Sequence, residues 1–289
     1  PRGGGGRPRP PRRARGGAGA GARGHDLTRC RPRERLRFLG FNTEDDADEQ
    51  HRRLSAVLRH FGATPADLKS NVVLIGPRRV GTLLEQEAAT GAIRPTPAMK
   101  ELVAAIEAFR PAVLVLDPLV ELHTVEENAN TGVRAVMAEI RALAVRYDMA
   151  VMVVHHAKKG AADSAGDMDT VRGASAITGL ARVVLTLTTM KPEEAKAFGM
   201  AEDDRNHFFR LDGAKSNYAP IQDAEWFERN AVELDNGDVV AVPVPWEAPD
   251  TAVNLEIRFK VEKGIAEGSP EGPWSPKLDR GERSVARLM

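Results

Sequence analysis

The sequence predicts an α/β fold in which a mostly parallel sheet is flanked by helices, with antiparallel strands at one edge. Three observations support this prediction. Short unbroken apolar runs alternate with segments of helical period, as they do when crossover helices join strands that are buried on both faces. One of these runs, residues 112–116, ends on a carboxylate, Asp117. Later in the chain, Asn236-Gly237 is a hairpin turn signal, which favours antiparallel strands.

The elements follow from hydrophobic period and turn residues. We predict strands at residues 38–41, 71–75, 112–116, 149–154, 183–187, 207–211, 226–234 and 239–242. We predict helices over residues 47–61, 96–109, 129–147 and 174–182. Thr43 or Asp46 is positioned to cap the first helix. Residues 76–95 show no clear period and are expected to form a loop.

The two ends of the chain differ from the middle. Residues 1–24 contain only Pro, Arg, Gly and Ala, a composition that cannot build a core, so we expect residues 1–36 to be disordered. Two interpretations remain open: a basic arm that binds nucleic acid, or a non-native segment such as a GC-rich gene read out of frame. We expect the folded core at residues 37–246, and a linker with the start of a further small domain at 247–289.

Composition excludes several classes of protein. Lys+Arg and Asp+Glu are equal at 41 each, so any nucleic-acid surface must be local. Cys30 is the only cysteine, which excludes a disulfide framework and fits a reducing, cytoplasmic location. No apolar run reaches the length of a membrane span, and the N-terminus lacks the apolar region of a secretory signal.

Asp117 is the first candidate site residue. An acid at the carboxyl end of a central parallel strand lies where open α/β sheets bind ligands, and a buried acid is costly unless a cation or strong donors satisfy it. Such an acid helps to hold Mg²⁺ in P-loop ATPases. From this segment alone, an ordinary loop aspartate is an equal alternative.

Five segments give the sequence a more specific signature. In order, they are Asn42-Thr-Glu-Asp-Asp46, Leu114-Val-Leu-Asp-Pro118, Val153-Val-His-His-Ala-Lys-Lys159, Val171-Arg-Gly-Ala-Ser-Ala176 and Gly213-Ala-Lys-Ser-Asn-Tyr-Ala-Pro220. This ordered set resembles the RecA-like ATPases, specifically the plasmid- and phage-type RepA hexameric helicases, relatives of the DnaB-like replicative helicases. The resemblance spans about residues 37–246.

The resemblance implies a role for three residues at strand ends. Glu44 is similar to the acid that orients the attacking water, and Asp117 to the Walker B acid that holds Mg²⁺. His156 is similar to the sensor of the γ-phosphate, and an exchange of roles with His155 stays open. For Glu44, a helix cap or solvated loop acid is the plain alternative.

The resemblance also implies contacts beyond the single chain. Arg172 is similar to an arginine finger delivered to the nucleotide of a neighbouring subunit, and Lys215 to a second cation at that boundary. Lys158 and Lys159 lie where such rings contact single-stranded DNA in their central channel. The implied cofactors are ATP and Mg²⁺, and the implied assembly is a homo-oligomeric ring, a hexamer. Surface positions without these roles remain the alternative for Arg172, Lys215 and the lysine pair.

One expected motif is missing. A P-loop, G-x-x-x-x-G-K-[ST], belongs ahead of Glu44, but the first lysine of the chain is Lys69, and the glycine run at 3–6 has neither the lysine nor the hydroxyl. We therefore predict weak ATP binding by this chain alone, and apolar surface left exposed on a central strand of the sheet. Three functions remain: an incomplete ATP-driven motor, a non-catalytic RecA-like regulatory subunit that donates Arg172, or a nucleic-acid-binding protein acting through its basic arm.

Overall fold

The structure is a computed structural model that describes residues 34–68, 70–76, 81–126, 129–156, 176–218 and 224–249. Its strands are β1 (Phe38–Asn42), β2 (Val72–Ile75), β3 (Leu84–Gln86), β4 (Ile93–Pro95), β5 (Val113–Asp117), β6 (Ala150–Val153), β7 (Val183–Thr189), β8 (Phe208–Ser216), β9 (Glu225–Glu233) and β10 (Val239–Trp246). Its helices are α1 (Ala47–His60), α2 (Pro65–Leu68), α3 (Pro97–Phe109), α4 (Asn130–Arg146), α5 (Ala176–Leu180) and α6 (Pro192–Ala197). The 3-10 turns are Leu119–Leu122 and Glu202–His207.

A four-stranded parallel sheet in the order β2-β1-β5-β6 forms the centre of the fold. Its strands are the short apolar runs of the sequence, and each consecutive pair is joined by at least one helix, as parallel pairing requires. Strands β1 and β5 lie in the middle, with Leu39 and Leu114 fully buried. The predicted α/β class and its mostly parallel sheet are confirmed.

Helices α3 and α4 cover one face of this sheet. Their apolar stripes, which include Leu102, Ile106, Val136 and Ile140, form the main core with the β1 and β5 side chains that point to the same face. Both helices follow the period read from the sequence. Helix α1 lies on the other face, where Leu58 packs with residues at the start of the strands.

Helix α1 begins where the sequence indicates. Asp46, one of the two predicted caps, accepts a hydrogen bond from the Glu49 main-chain N–H at 2.8 Å, the usual geometry of an N-cap. The first turn carries Asp48 and Glu49 and the last turn Arg59 and His60, so the charges complement the helix dipole at both ends.

The late strands form a second, antiparallel sheet in the order β10-β9-β8-β7. Prediction placed these strands at one edge of the parallel sheet; among the described residues they hydrogen-bond to one another as a sheet of their own. Helix α1 links the two sheets, since Arg52 pairs with Asp238 at 2.8 Å and Arg59 pairs with Asp235. Both acids lie at the β9–β10 hairpin, whose turn contains Gly237 at φ 85°.

The expected loop at residues 76–95 contains regular structure. Strands β3 and β4 pair as a short antiparallel ribbon, and Leu84 is almost fully buried. Three-residue strands are too short to show alternation in the sequence, which explains why the ribbon was missed. Within the part of the chain that the structure describes, no helix is both long and apolar enough to cross a bilayer. The predicted disordered segment up to residue 33 and the small-domain start beyond residue 249 lie outside the described residues.

Apolar surface remains on the α1 face of the parallel sheet. Register places Leu74, Gly40, Val115 and Met152 in one row across all four strands. At the outer strands, Leu74 is 38% and Met152 46% exposed. Helix α1 therefore leaves these two side chains partly uncovered. The expected exposed apolar surface is therefore present, on the outer strands rather than a central one.

We predict that Gly132→Ala destabilises the protein by about 1–3 kcal/mol. A Cβ at Gly132, in the first turn of α4, would lie 2.5 Å from Cγ1 of the buried Val125, and a β-branched side chain has little freedom to move away. Urea unfolding of Gly132→Ala and of the control Gly179→Ala measures this, since a Cβ at Gly179 meets nothing within 4 Å. Equal stability of the two variants would contradict the packing described for Val125.

Candidate functional site

The carboxyl ends of β1 and β5 bring two distant segments together. The strands run parallel in a register that pairs Asn42 with Asp117, although 75 positions separate them in the sequence. Both strands are apolar until their last residue, so the polar groups begin at the same level. A polar site therefore forms at the edge where parallel sheets commonly bind ligands.

Asp117 is held through its main chain and its side chain. The Thr43 main-chain N–H donates to the Asp117 carbonyl at 2.9 Å, and the Thr43 hydroxyl donates to the same oxygen at 3.3 Å. The Asn42 side-chain amide donates to Asp117 Oδ2 at 3.3 Å. The second carboxylate oxygen is thereby left for other partners.

Asn42 also sets the turn that carries Glu44. Its Oδ1 accepts hydrogen bonds from the main-chain N–H groups of Glu44, at 2.8 Å, and Asp45, at 2.6 Å. This is the local side-chain to backbone bonding that allows asparagine to start a turn after a strand. The turn reverses the chain into α1 and keeps Glu44 beside the end of β5.

Two acids and two basic side chains act on the Asp117 carboxyl. Burial raises the pKa of its carboxyl above the ordinary value, and the carboxylates of Glu44 and Asp45 raise it further. His156 and Arg53 act in the opposite direction and lower the pKa. The ionised Asp117 is thus costly in the isolated chain, and a bound cation would relieve that cost.

His156 follows the end of the neighbouring strand β6. The Val154 main-chain N–H bonds the Leu116 carbonyl at 2.9 Å, and the Leu119 N–H bonds the Val154 carbonyl at 2.8 Å, so the segment after β6 stays next to β5. The His156 side chain is exposed and lies within electrostatic range of Asp117. Glu44, Asp117 and His156, predicted separately, therefore lie around one edge of the sheet.

Of the other predicted residues, Lys215 is described by the structure, and it bonds to groups other than these three. Lys215 lies on β8, and its ammonium donates to the carbonyls of Thr178 at 2.8 Å and Gly179 at 3.2 Å. These carbonyls belong to the last turn of α5, where a cation is electrostatically favourable. Arg172, Lys158 and Lys159 lie outside the described residues.

The donor atoms at this edge fit Mg²⁺ held by few protein ligands. Carboxylate oxygens are the ligands that this ion prefers, and it usually takes one or two of them together with waters and substrate phosphates. The described residues contain no cluster of three or more His, Cys, Asp or Glu side chains arranged as a metal cage. Asp117 is thus a candidate ligand, with the remaining positions open to water and substrate.

Sequence reasoning missed three residues of the site. Asn42 and Asp45 were named only as members of the motif around Glu44, and Arg53 was not singled out. The order Asn-Thr-Glu-Asp after an apolar strand was the available signal for a turn headed by Asn42. Nothing local indicated that Arg53 reaches back eight positions to Asp45, at 2.8 Å.

Fold and site together define an α/β protein with acids at the carboxyl edge of a parallel sheet, the arrangement of phosphate-handling enzymes. The AAA domain family matches residues 18–162. The chain belongs to this family of ATPases.

Two solved structures are among those similar to the chain. A KaiC-like protein from the hyperthermophilic archaeon Pyrococcus horikoshii OT3 is 11% identical over 72% of this chain and 76% of its own, with a TM-score of 0.44. The RadB recombinase is 13% identical over 68% of this chain and 76% of its own, with a TM-score of 0.41.

We predict that Asp117→Asn stabilises the fold at neutral pH. A raised pKa means that the folded protein binds this proton more tightly than the unfolded chain, so ionisation lowers the free energy of unfolding as pH rises. The penalty is absent below the pKa of an unfolded aspartate, about 3.9, and complete above the raised value. The advantage of Asp117→Asn should therefore grow from acid to neutral pH.

Urea unfolding between acid and neutral pH measures this difference. Asp203→Asn is the matched control, because Asp203 is exposed in the 3-10 turn Glu202–His207 and loses the same charge. A pH-independent difference, or an Asp117→Asn protein that is less stable than wild type at pH 7, would show that ionisation of the Asp117 carboxyl does not destabilise the fold.

Proposed function

We propose that the chain carries the metal-binding and water-orienting acids of an ATP-driven motor of the RepA hexameric helicase type. The motor would act on single-stranded DNA in plasmid or phage replication, in the cytoplasm, with residues 37–246 as its core. The observation that carries the proposal is the pairing of Asn42 with Asp117, which gathers Glu44 and Asp117 at one edge. Membership of the AAA domain family supports the ATPase part.

Three side chains have separate roles in this proposal. Asp117 holds Mg²⁺, which neutralises charge on the phosphates. Glu44 orients the attacking water, a task that needs position rather than a covalent bond. His156 contacts the terminal phosphate and reports its presence. The position of His156 near Asp117 favours it over His155 for this role.

The remaining roles require neighbouring subunits. In a homo-oligomeric ring, a hexamer, Arg172 and Lys215 would reach the nucleotide of the next subunit, where a guanidinium stabilises transition-state charge. Lys158 and Lys159 would contact DNA phosphates in the central channel. The bonds from Lys215 to the Thr178 and Gly179 carbonyls mean that it would have to exchange partners to act in this way.

The sequence lacks the motif that would complete an ATP site of the P-loop type. The 289 residues contain no G-x-x-x-x-G-K-[ST], the motif whose main-chain N–H groups and lysine hold the phosphates. This favours a second candidate, a non-catalytic RecA-like subunit that donates Arg172 to an intact partner. The two candidates share the metal site and differ in nucleotide binding.

Metal binding tests the shared part. We expect Mn²⁺, which accepts the same oxygen ligands as Mg²⁺, to bind wild-type protein weakly, and Asp117→Asn to bind it at least about tenfold more weakly because a charged ligand is lost. Water-proton relaxation measures the affinity. Asp148→Asn is the control, since Asp148 is exposed and precedes β6, at the opposite end of the sheet. An equal loss of Mn²⁺ affinity in both variants would show a general effect of charge and would contradict a metal site at Asp117.

Nucleotide binding tests the distinction between the candidates. We expect no binding of mant-ATP by the chain at micromolar concentrations with Mg²⁺ present, since the 289 residues contain no P-loop motif. Fluorescence titration is the measurement, and wild-type and Glu44→Gln proteins should behave alike because Glu44 acts on water rather than on affinity. Micromolar binding by the wild-type chain would contradict the expectation and favour a self-sufficient ATPase.

A further inference from the structure

Arg53 connects helix α1 to the acid site. Its Nη1 lies 2.8 Å from Asp45 Oδ2, and its Nε lies 2.7 Å from Glu49 Oε1. The Arg53 side chain is 58% exposed, whereas that of Asp45 is only 18% exposed. Two donors of one planar guanidinium thus hold two acids at fixed positions, an arrangement that a single ammonium does not reproduce.

A chain of polar contacts continues from Asp45 to Asp117. The Asn42 amide lies 3.4 Å from Asp45 Oδ2 and 3.3 Å from Asp117 Oδ2. These contacts are long and individually weak, so their geometry depends on what else fixes each end. At one end, β5 fixes Asp117; at the other, Arg53 fixes the Asp45 carboxylate.

A second residue of α1 holds the main chain of the same turn. The side-chain amide of Gln50 donates to the Asp45 carbonyl at 2.9 Å, and Gln50 is buried. Gln50 and Arg53 are three positions apart and therefore lie on one face of the helix. Together they attach the carbonyl and the carboxylate of Asp45 to a rigid element, one residue from Glu44.

We propose that Arg53 is a positioning residue for the proposed metal and water site: it clamps Asp45 and thereby keeps the turn with Glu44 beside Asp117. The inference rests on the proposed function for its purpose, but the clamp itself is a property of this chain. Arg53 acts through Asp45 and need not touch substrate.

Positioning and charge make opposite predictions for Arg53→Gln. Removing a nearby positive charge should by itself tighten the binding of a cation at Asp117. Loss of the clamp should weaken it, because the acids no longer share one fixed geometry. We expect Mn²⁺ to bind Arg53→Gln about threefold to fivefold more weakly than wild type, the range that the loss of a part-exposed ion pair produces. The Mn²⁺ affinity of Arg53→Lys, which keeps the charge, should lie between those of wild type and Arg53→Gln.

Amide exchange reports the turn without any ligand. The Glu44 and Asp45 N–H groups donate to Asn42 Oδ1, and we expect both to exchange about threefold to fivefold faster in Arg53→Gln. The Thr43 N–H, which bonds the Asp117 carbonyl, should be unchanged and serves as the internal reference. NMR-detected exchange resolves the three amides.

Arg59→Gln is the matched control. Arg59 lies on the same helix and pairs with Asp235 at the distant hairpin. Its substitution therefore removes an equal charge and leaves the contacts of the turn intact. The proposal is overturned if Arg53→Gln matches Arg59→Gln in amide exchange, or if it binds Mn²⁺ as tightly as wild type or more tightly. Should Arg53→Gln not fold, Asp45→Asn removes the same ion pair. Faster amide exchange at Glu44 and Asp45 in that variant would support the proposal, and unchanged exchange would overturn it. If wild-type protein binds no Mn²⁺, the proposed function fails, while the exchange result still decides the role of Arg53.

Discussion

The parallel pairing of β1 with β5 is the constraint on which the site depends. It places Asn42 opposite Asp117 and so brings the turn that carries Glu44 beside the end of β5. A shift of one residue would turn the polar ends to opposite faces of the sheet and would expose Leu39 and Leu114, which are fully buried. The hydrophobic core therefore fixes the register, and the register assembles the acids.

Helix α1 extends this constraint to the rest of the molecule. Two adjacent arginines on it face different partners: Arg53 reaches Asp45 beside the site, and Arg52 reaches Asp238 in the second sheet. Exposed ion pairs contribute little to stability individually. Their value here lies in orientation, because they set how the helix lies against the turn before it and against the hairpin.

The sequence predicts what depends on local pattern. The strand ending in Asp117 and the helix capped by Asp46 both follow from hydrophobic period and capping residues. It also places Glu44, Asp117 and His156 at strand ends, so that a parallel sheet was enough to bring them together. The ribbon of β3 and β4 was missed because such short strands have no period to detect. The roles of Asn42 and Arg53 depend on which strands are neighbours and how a helix lies, and such non-local information is absent from any window of the sequence.

Anomalous diffraction from crystals grown or soaked with Mn²⁺ is the most direct measurement of the central claim. We expect an anomalous peak at coordination distance from an Asp117 carboxylate oxygen, with Asn42 hydrogen-bonded to the other oxygen and Glu44 at the same edge of the sheet. A peak elsewhere in the molecule, or an experimental structure in which β1 and β5 do not pair Asn42 with Asp117, would contradict it.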